Sequence, residues 1–186
     1  MASVITATTS SGLVSSADNS GVLQLASGTG NLVTVPSVTG TAMVSGNMPA
    51  FSAYLSANQS ISANTFTKAQ FDTEEFDTAN CFNTSTYRFT PNVAGYYQVN
   101  LTIYTSGVGS TAGNAYIYKN GASFKAGVAT ASNNQVVPVP ALIYLNGSSD
   151  YIEAYSYVSS GTSIVIAGTV GNAPFCYFQA VLVRAA

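Results

Sequence analysis

Between Gly95 and Tyr104 the chain reads Gly-Tyr-Tyr-Gln-Val-Asn-Leu-Thr-Ile-Tyr, and this alternation restricts the possible fold more than any other feature. Tyr97, Val99, Leu101 and Ile103 fall on one side of an extended strand, and Gln98, Asn100 and Thr102 fall on the other. A helix would scatter those apolar groups around its surface, so the run predicts a half-buried β-strand whose register is set by its buried side. Shorter runs of similar texture surround it. Thr86 to Thr90 stops at Pro91-Asn92, and Ala115 to Tyr118 leads into Lys119-Asn120-Gly121, where Asn-Gly supplies the positive φ angles of a tight hairpin. Pro140 to Leu145, a turn over Asn146 to Ser149, Asp150 to Tyr157, Ser163 to Ala167 and Phe175 to Val183 complete the series. Nowhere is a helical period sustained. Eight or more short strands with turn punctuation predict an all-β sandwich or jelly roll.

Texture also divides the chain. All 12 Tyr and 9 Phe lie beyond Met48, whereas residues 1–46 are rich in Ser, Thr, Gly and Val and carry one charge, Asp18. Two alternating stretches occur in that segment, Val22 to Ala26 and Asn31 to Val35, separated by Gly28-Thr29-Gly30. They read as brief strands that need copies of themselves or a docking surface for stability, the other reading being a linker. The expected organisation is therefore an N-terminal arm over 1–46 and a β-domain over 47–186. Val22, Leu23, Leu25, Leu32, Val33 and Val35 are the arm's candidate docking residues.

Charged residues make up only 6% of the chain, against about a quarter in average soluble domains. A surface so poor in charge suits a subunit whose neutral faces are covered in a permanent assembly. The net charge of −2 and the scatter of Lys68, Arg88, Lys119, Lys125 and Arg184 argue against nucleic-acid binding. No apolar run approaches ~18 residues, so no membrane-spanning helix is expected. The N-terminus shows neither the basic nor the apolar portion of a signal peptide, and none is expected. Cys81 and Cys176 admit two readings, buried thiols or one disulfide.

From Phe71 to Leu101 the spacing of Phe71, Asp77, Phe82, Phe89, Gly95 and Tyr97 resembles the signature of the complement C1q-type globular domain. Val99 and Leu101 stand where the family carries aromatic residues. Pro49 to Ala53 looks like the family's first strand, Tyr118 to Gly121 like its central hairpin, and Tyr177 to Leu182 like its closing strand. The resemblance runs from about Met48 to Arg184. It implies a C1q/tumour-necrosis-factor-like jelly-roll β-sandwich that assembles as a homotrimer with apolar subunit contacts. Phe71, Phe82, Phe89 and Tyr97 would then fill the core. The surplus tyrosines Tyr96, Tyr104, Tyr116, Tyr118, Tyr155 and Tyr157 become candidates for the trimer interface, since aromatic residues are enriched at interfaces; the alternative is that they decorate a solvated face.

With no histidine in the chain, a Ser-His-Asp or Cys-His arrangement is impossible within one subunit, and no enzymatic activity or cofactor is expected. Asp72, Glu74, Glu75 and Asp77 form the one acidic cluster. It is a weak candidate for Ca²⁺, and otherwise a solvated loop. The Gly/Ser/Thr-rich arm followed directly by such a domain looks like the decoration and fibre proteins of tailed bacteriophages. Two functions follow as expectations. One is a trimeric capsid decoration or cement protein in the virion, docked on the major capsid protein or other virion proteins through its arm. The other is the tip of a tail fibre, binding a glycan or protein receptor on the host surface. A 46-residue arm is short for a fibre's attachment domain and stem, which favours decoration.

Overall fold

The computed structural model describes residues 23–26, 32–35, 46, 48–106, 113–128, 134–159, 164–166, 169–170 and 173–186. The chain divides into two compact units, Met1–Thr41 and Ala42–Ala186. In the first, β1 (Leu23–Ala26) pairs antiparallel with β2 (Leu32–Val35), setting Leu23 opposite Val35 and Leu25 opposite Val33. Both short alternations of the arm are therefore strands. Val22 lies outside the described residues.

The second unit begins with β3 (Ala50–Tyr54), β4 (Gln59–Ile61), β5 (Thr67–Lys68), β6 (Thr73–Asp77), β7 (Phe82–Asn83) and β8 (Arg88–Phe89). The long β9 (Ala94–Ser106) follows, then the hairpin of β10 (Gly113–Lys119) and β11 (Ala122–Val128), then β12 (Asn134–Asn146) and β13 (Ile152–Val158). β14 (Ile164–Ile166), β15 (Thr169–Val170), β16 (Ala173–Pro174) and β17 (Tyr177–Ala185) close the chain. No α-helix occurs among the described residues.

Two antiparallel sheets carry the fold. In one, β12, β9, β17, β3 and β6 lie side by side, with β14 and β4 continuing beside the far end of β9. In the other, β11, β10, β13, β8 and β7 follow in order, and β5 also pairs with β13. The buried side of β9 is the one expected: Tyr97, Val99, Leu101 and Ile103 are all buried. Tyr97 also donates its hydroxyl to the Val93 carbonyl at 2.7 Å, so its polar tip is satisfied inside the core. Phe71, Phe82 and Phe89 are buried between the sheets with it.

The remaining signature positions have local causes. Asp77 accepts the backbone N–H groups of Ala79 and Phe82 at 3.2 and 2.7 Å, holding the chain as it leaves β6. Gly95 begins β9 against the end of β17, where a Cβ would overlap the Arg184 carbonyl oxygen and crowd Leu182. The hairpin turn has the positive φ angles its sequence demands, 54° at Asn120 and 80° at Gly121. At the next turn Asn146 Oδ1 accepts from the N–H groups of Ser148, Ser149 and Asp150.

Two strand expectations need correction. Thr86–Thr90 contains only the two-residue β8, because Asn83 to Tyr87 is a turn: Asn83 Oδ1 accepts from Ser85 and Thr86 N–H, and Tyr87 N–H reaches the Asn83 carbonyl. The strand expected to begin at Pro140 begins instead at Asn134 and runs through Pro138 and Pro140. An antiparallel ladder unbroken from Asn134 to Asn146 places the two missing N–H groups on the side away from β9. The prolines therefore blunt the edge of this sheet against adventitious strand pairing. Replacing both Pro138 and Pro140 with valine is expected to keep the fold and raise concentration-dependent aggregation, read by light scattering over time. Unchanged scattering would remove the edge-blocking role.

Candidate functional site

The outer face of the seven-stranded sheet exposes apolar side chains with few charges, Arg184 opposite Tyr96 among them. Its composition follows from register. Tyr144 of β12 stands beside Tyr96 of β9; Leu142 lines up with Gln98 and, across β17, with Val181 and Ala50; Pro140 lines up with Asn100, Gln179, Ser52 and Phe76. Val136, Leu142, Tyr144, Tyr96, Val181 and Val183 are all exposed, with Leu142 and Val183 each at 56%. Alternation along β12 makes this unavoidable: Val137, Val139, Ala141, Ile143 and Leu145 take the core side, so their equally apolar neighbours must face outward. The middle of the face is mainly carboxamide and hydroxyl, with the Glu75 carboxylate joined to it. Gln179 donates to Ser52 Oγ at 2.9 Å, and the Ser52 hydroxyl donates to Glu75 at 2.5 Å.

The tyrosines expected at a trimer interface do not share one surface. Tyr96 and Tyr104 lie on β9, with rings 5.5 Å from Tyr144 and 5.3 Å from Phe175. Tyr116 and Tyr118 of β10 and Tyr155 and Tyr157 of β13 lie on the outside of the other sheet, with Tyr116, Tyr118 and Tyr157 around Phe66. Tyr118 and Tyr155 stack at 4.0 Å. Because the two sheets pack core to core, their outer faces point in opposite directions, and a single flat contact cannot use all six.

The acidic run does not converge on an oxygen cage. Asp72 accepts from Ser56 N–H and Ser56 Oγ at 2.8 and 2.6 Å, Glu75 is engaged by Ser52, Asp77 caps its own turn, and Glu74 is exposed on β6. β6 meets β3 with a bulge between Ser52 and Ala53, and Asp72, Glu75 and Asp77 each keep a different partner. Among the described residues no cluster of three or more Asp, Glu, Cys or His side chains has metal-holding geometry. Both cysteines are free and buried. Burial pushes the Cys176 thiol up to about 12, and Tyr104 N–H donates to its sulfur at 3.0 Å, so it is an inert core group rather than a reactive one.

One buried charge escaped the sequence reading. Glu153 sits on the outer side of β13, yet its side chain is only 1% exposed, because Lys68 Nζ at 2.5 Å and Arg88 Nε at 2.7 Å cover it. Arg88 in turn lies 4.2 Å over the Tyr151 ring. Lys119 pairs with Asp150 at 3.1 Å. Three of the five cations are thus engaged within their own subunit. The strand pattern of Ile152 to Tyr157 gave no signal of this, since the pairing depends on β5 and β8 arriving beside β13.

No family model matches the sequence, and no curated protein matches it. Solved structures do match. The globular domain of zebrafish complement 1qA protein superimposes with a TM-score of 0.57 at 16% identity, over 74% of this chain and 99% of that one. Murine APRIL at pH 5.0 gives 0.56 at 7% identity, over 73% and 99%; murine APRIL at pH 8.0 gives 0.53 at 10% identity, again over 73% and 99%. At such identities the likeness is one of fold. The fold is the C1q/tumour-necrosis-factor-like jelly roll.

Proposed function

We propose that this chain is a homotrimeric structural protein of a bacteriophage particle, a capsid decoration or cement protein that docks through residues 1–46 and projects its jelly roll outward. The observation that carries the trimer is the outer face of the seven-stranded sheet. Leu142, Tyr144, Tyr96, Val181 and Val183 expose their side chains on adjacent strands with amides between them and few charges. Exposed apolar side chains gathered on one face with few charges suit a subunit contact. Tyr96 belongs to that contact. Tyr116, Tyr118, Tyr155 and Tyr157 belong to the opposite, outward side of each subunit. The docking role rests on the contrast between the aromatic-free arm, with its β1–β2 hairpin, and the aromatic-rich domain. Three arms on one trimer would turn weak single contacts into firm attachment.

Light scattering coupled to size exclusion should give three chain masses, and Leu142→Glu with Val181→Glu should give one. A monomeric parent chain would refute the trimer. Removing residues 1–40 should leave a folded trimer that no longer binds particles, and quantitative mass spectrometry of virions should count hundreds of copies. About a dozen or two copies would instead place the chain at the tip of a tail fibre, with a host surface glycan or protein as partner.

A further inference from the structure

Four residues other than glycine have positive φ among the described residues, and three of them, Asn64, Asn80 and Asn120, are of the type that tolerates it. The fourth is Tyr87 at 57°. A bulky side chain in the left-handed region costs on the order of 1 kcal/mol, and glycine at the same place would cost nothing. The turn itself does not need a tyrosine. Its bonds run through Asn83 Oδ1 to the Ser85 and Thr86 N–H groups, each at 2.9 Å, and from Tyr87 N–H to the Asn83 carbonyl at 2.7 Å. Strain kept against a cheaper alternative points to what the side chain does.

Tyr87 lines a hollow of about 380 Å³, with Asn58, Gln59, Ser60, Gln70 and Asp72 around it. That volume is within the ordinary range for small-molecule sites. Two of the polar groups are held in place beforehand. Gln59 donates Nε2 to the Lys68 carbonyl at 2.9 Å and accepts the Gln70 N–H at 3.0 Å, while Asp72 is braced by the Ser56 backbone and hydroxyl. Each keeps hydrogen-bonding capacity to spare: one amide hydrogen on Gln59, and further lone pairs on the Asp72 carboxylate. Such preorganisation lowers the ordering cost of binding.

We propose that this hollow binds a neutral saccharide unit. Beside the apolar Leu55 and Ala57, the lining residues bring one carboxylate, three carboxamides, a hydroxyl and an aromatic residue, and no Lys or Arg. With Asp72 present and no cation, phosphate, sulfate and nucleic acid are disfavoured. With Leu55 and Ala57 the only aliphatic residues of the lining, a lipid chain is disfavoured as well. A pyranose offers the complementary pattern: a C–H face to rest on the Tyr87 ring and adjacent hydroxyls that both donate to Asp72 and accept from carboxamide N–H groups. The inference concerns a single chain and does not depend on the trimer or the virion role, although a trimer would present three sites together.

The test is saturation-transfer NMR on the full chain with the methyl glycosides of glucose, galactose, mannose and N-acetylglucosamine, beside glucose 6-phosphate. At least one neutral glycoside should receive saturation, with weak, millimolar-range affinity. Tyr87→Gly should weaken it at least tenfold while leaving the thermal midpoint equal or higher, because the backbone strain is relieved. Tyr87→Asn, which also tolerates the left-handed region, should do the same and guards against a folding defect in the glycine variant. The proposal fails if none of the four neutral glycosides binds. It also fails if removing the ring leaves binding unchanged, or if glucose 6-phosphate binds more tightly than methyl glucoside. A variant made monomeric at Leu142 and Val181 should bind the glycoside as the parent does, which separates this site from the assembly reading.

Discussion

Phe51→Ala should cost about 3–5 kcal/mol, the largest loss expected of any single core truncation here. The Phe51 ring stacks on Phe89 at 4.5 Å and on Phe82 at 4.7 Å, and meets the edge of Phe178 at 5.2 Å. Phe51 and Phe178 come from one sheet, while Phe82 and Phe89 come from the other. Truncation therefore removes the ring at which the two layers meet, and leaves a cavity that neither sheet can close without shifting backbone. At roughly 2–4 °C per kcal/mol for a domain of this size, the thermal midpoint should fall by about 10 °C. Phe124→Ala is the control: Phe124 is 44% exposed on the edge strand β11, and its loss should change stability by about 0.5 kcal/mol or less. Equal effects from the two would mean that the inter-sheet stack is not what holds the sandwich closed.

Removing both cations over Glu153 should also be damaging. In the Lys68→Ala, Arg88→Ala double variant the carboxylate loses both counter-charges, but the same truncations uncover it to water, so the loss should fall below the about 3–5 kcal/mol of a charge stranded in the interior. Either single change should cost well under half of that, because the remaining cation lies within 2.7 Å of the same oxygen. The two losses should therefore be more than additive, and a double-mutant cycle by denaturant unfolding reads the coupling directly. Lys68 and Arg88 are 27% and 40% exposed, so both can be hydrated when Glu153 is lost, and Glu153→Leu should be milder than the double variant. Strictly additive single effects would show that the two cations act separately. The triad also ties β5 and β8 to β13, which gives a structural use to a charge in a chain with so few.

How much of this was legible beforehand varies from element to element. The buried side of β9, the Asn120-Gly121 hairpin and the aromatic core were readable because period-two alternation and turn chemistry are local properties of the chain. Thr86–Thr90 misled for the same reason: its residues favour strands one by one, but the Asn83 side chain captures two backbone N–H groups and bends the segment back. Pro138 and Pro140 hid half of β12. Proline normally ends a strand, and only the pairing shows that both face an edge where no donor is needed. The six outward tyrosines were recognised as surplus to the core, but their division between two faces depends on which strands become neighbours. The hollow beside Tyr87 had no signal in the sequence, since its lining comes from three segments and its most telling feature is a backbone angle.

The sequence by itself determined that this is an all-β chain with a neutral surface, an aromatic-rich domain and an aromatic-free arm, because composition and alternation act over a few residues at a time. Six matched signature positions extended that to the jelly roll, since their spacing reflects which side chains must meet in one core. Tertiary structure alone decided what lies outside that core. It put Glu153 beneath two cations, spread the acidic run over separate partners, sent four tyrosines to the face opposite Tyr96, and set Tyr87 against a polar hollow. Each of these depends on contacts between strands distant in sequence, where sheet order and register, rather than local preference, choose the neighbours.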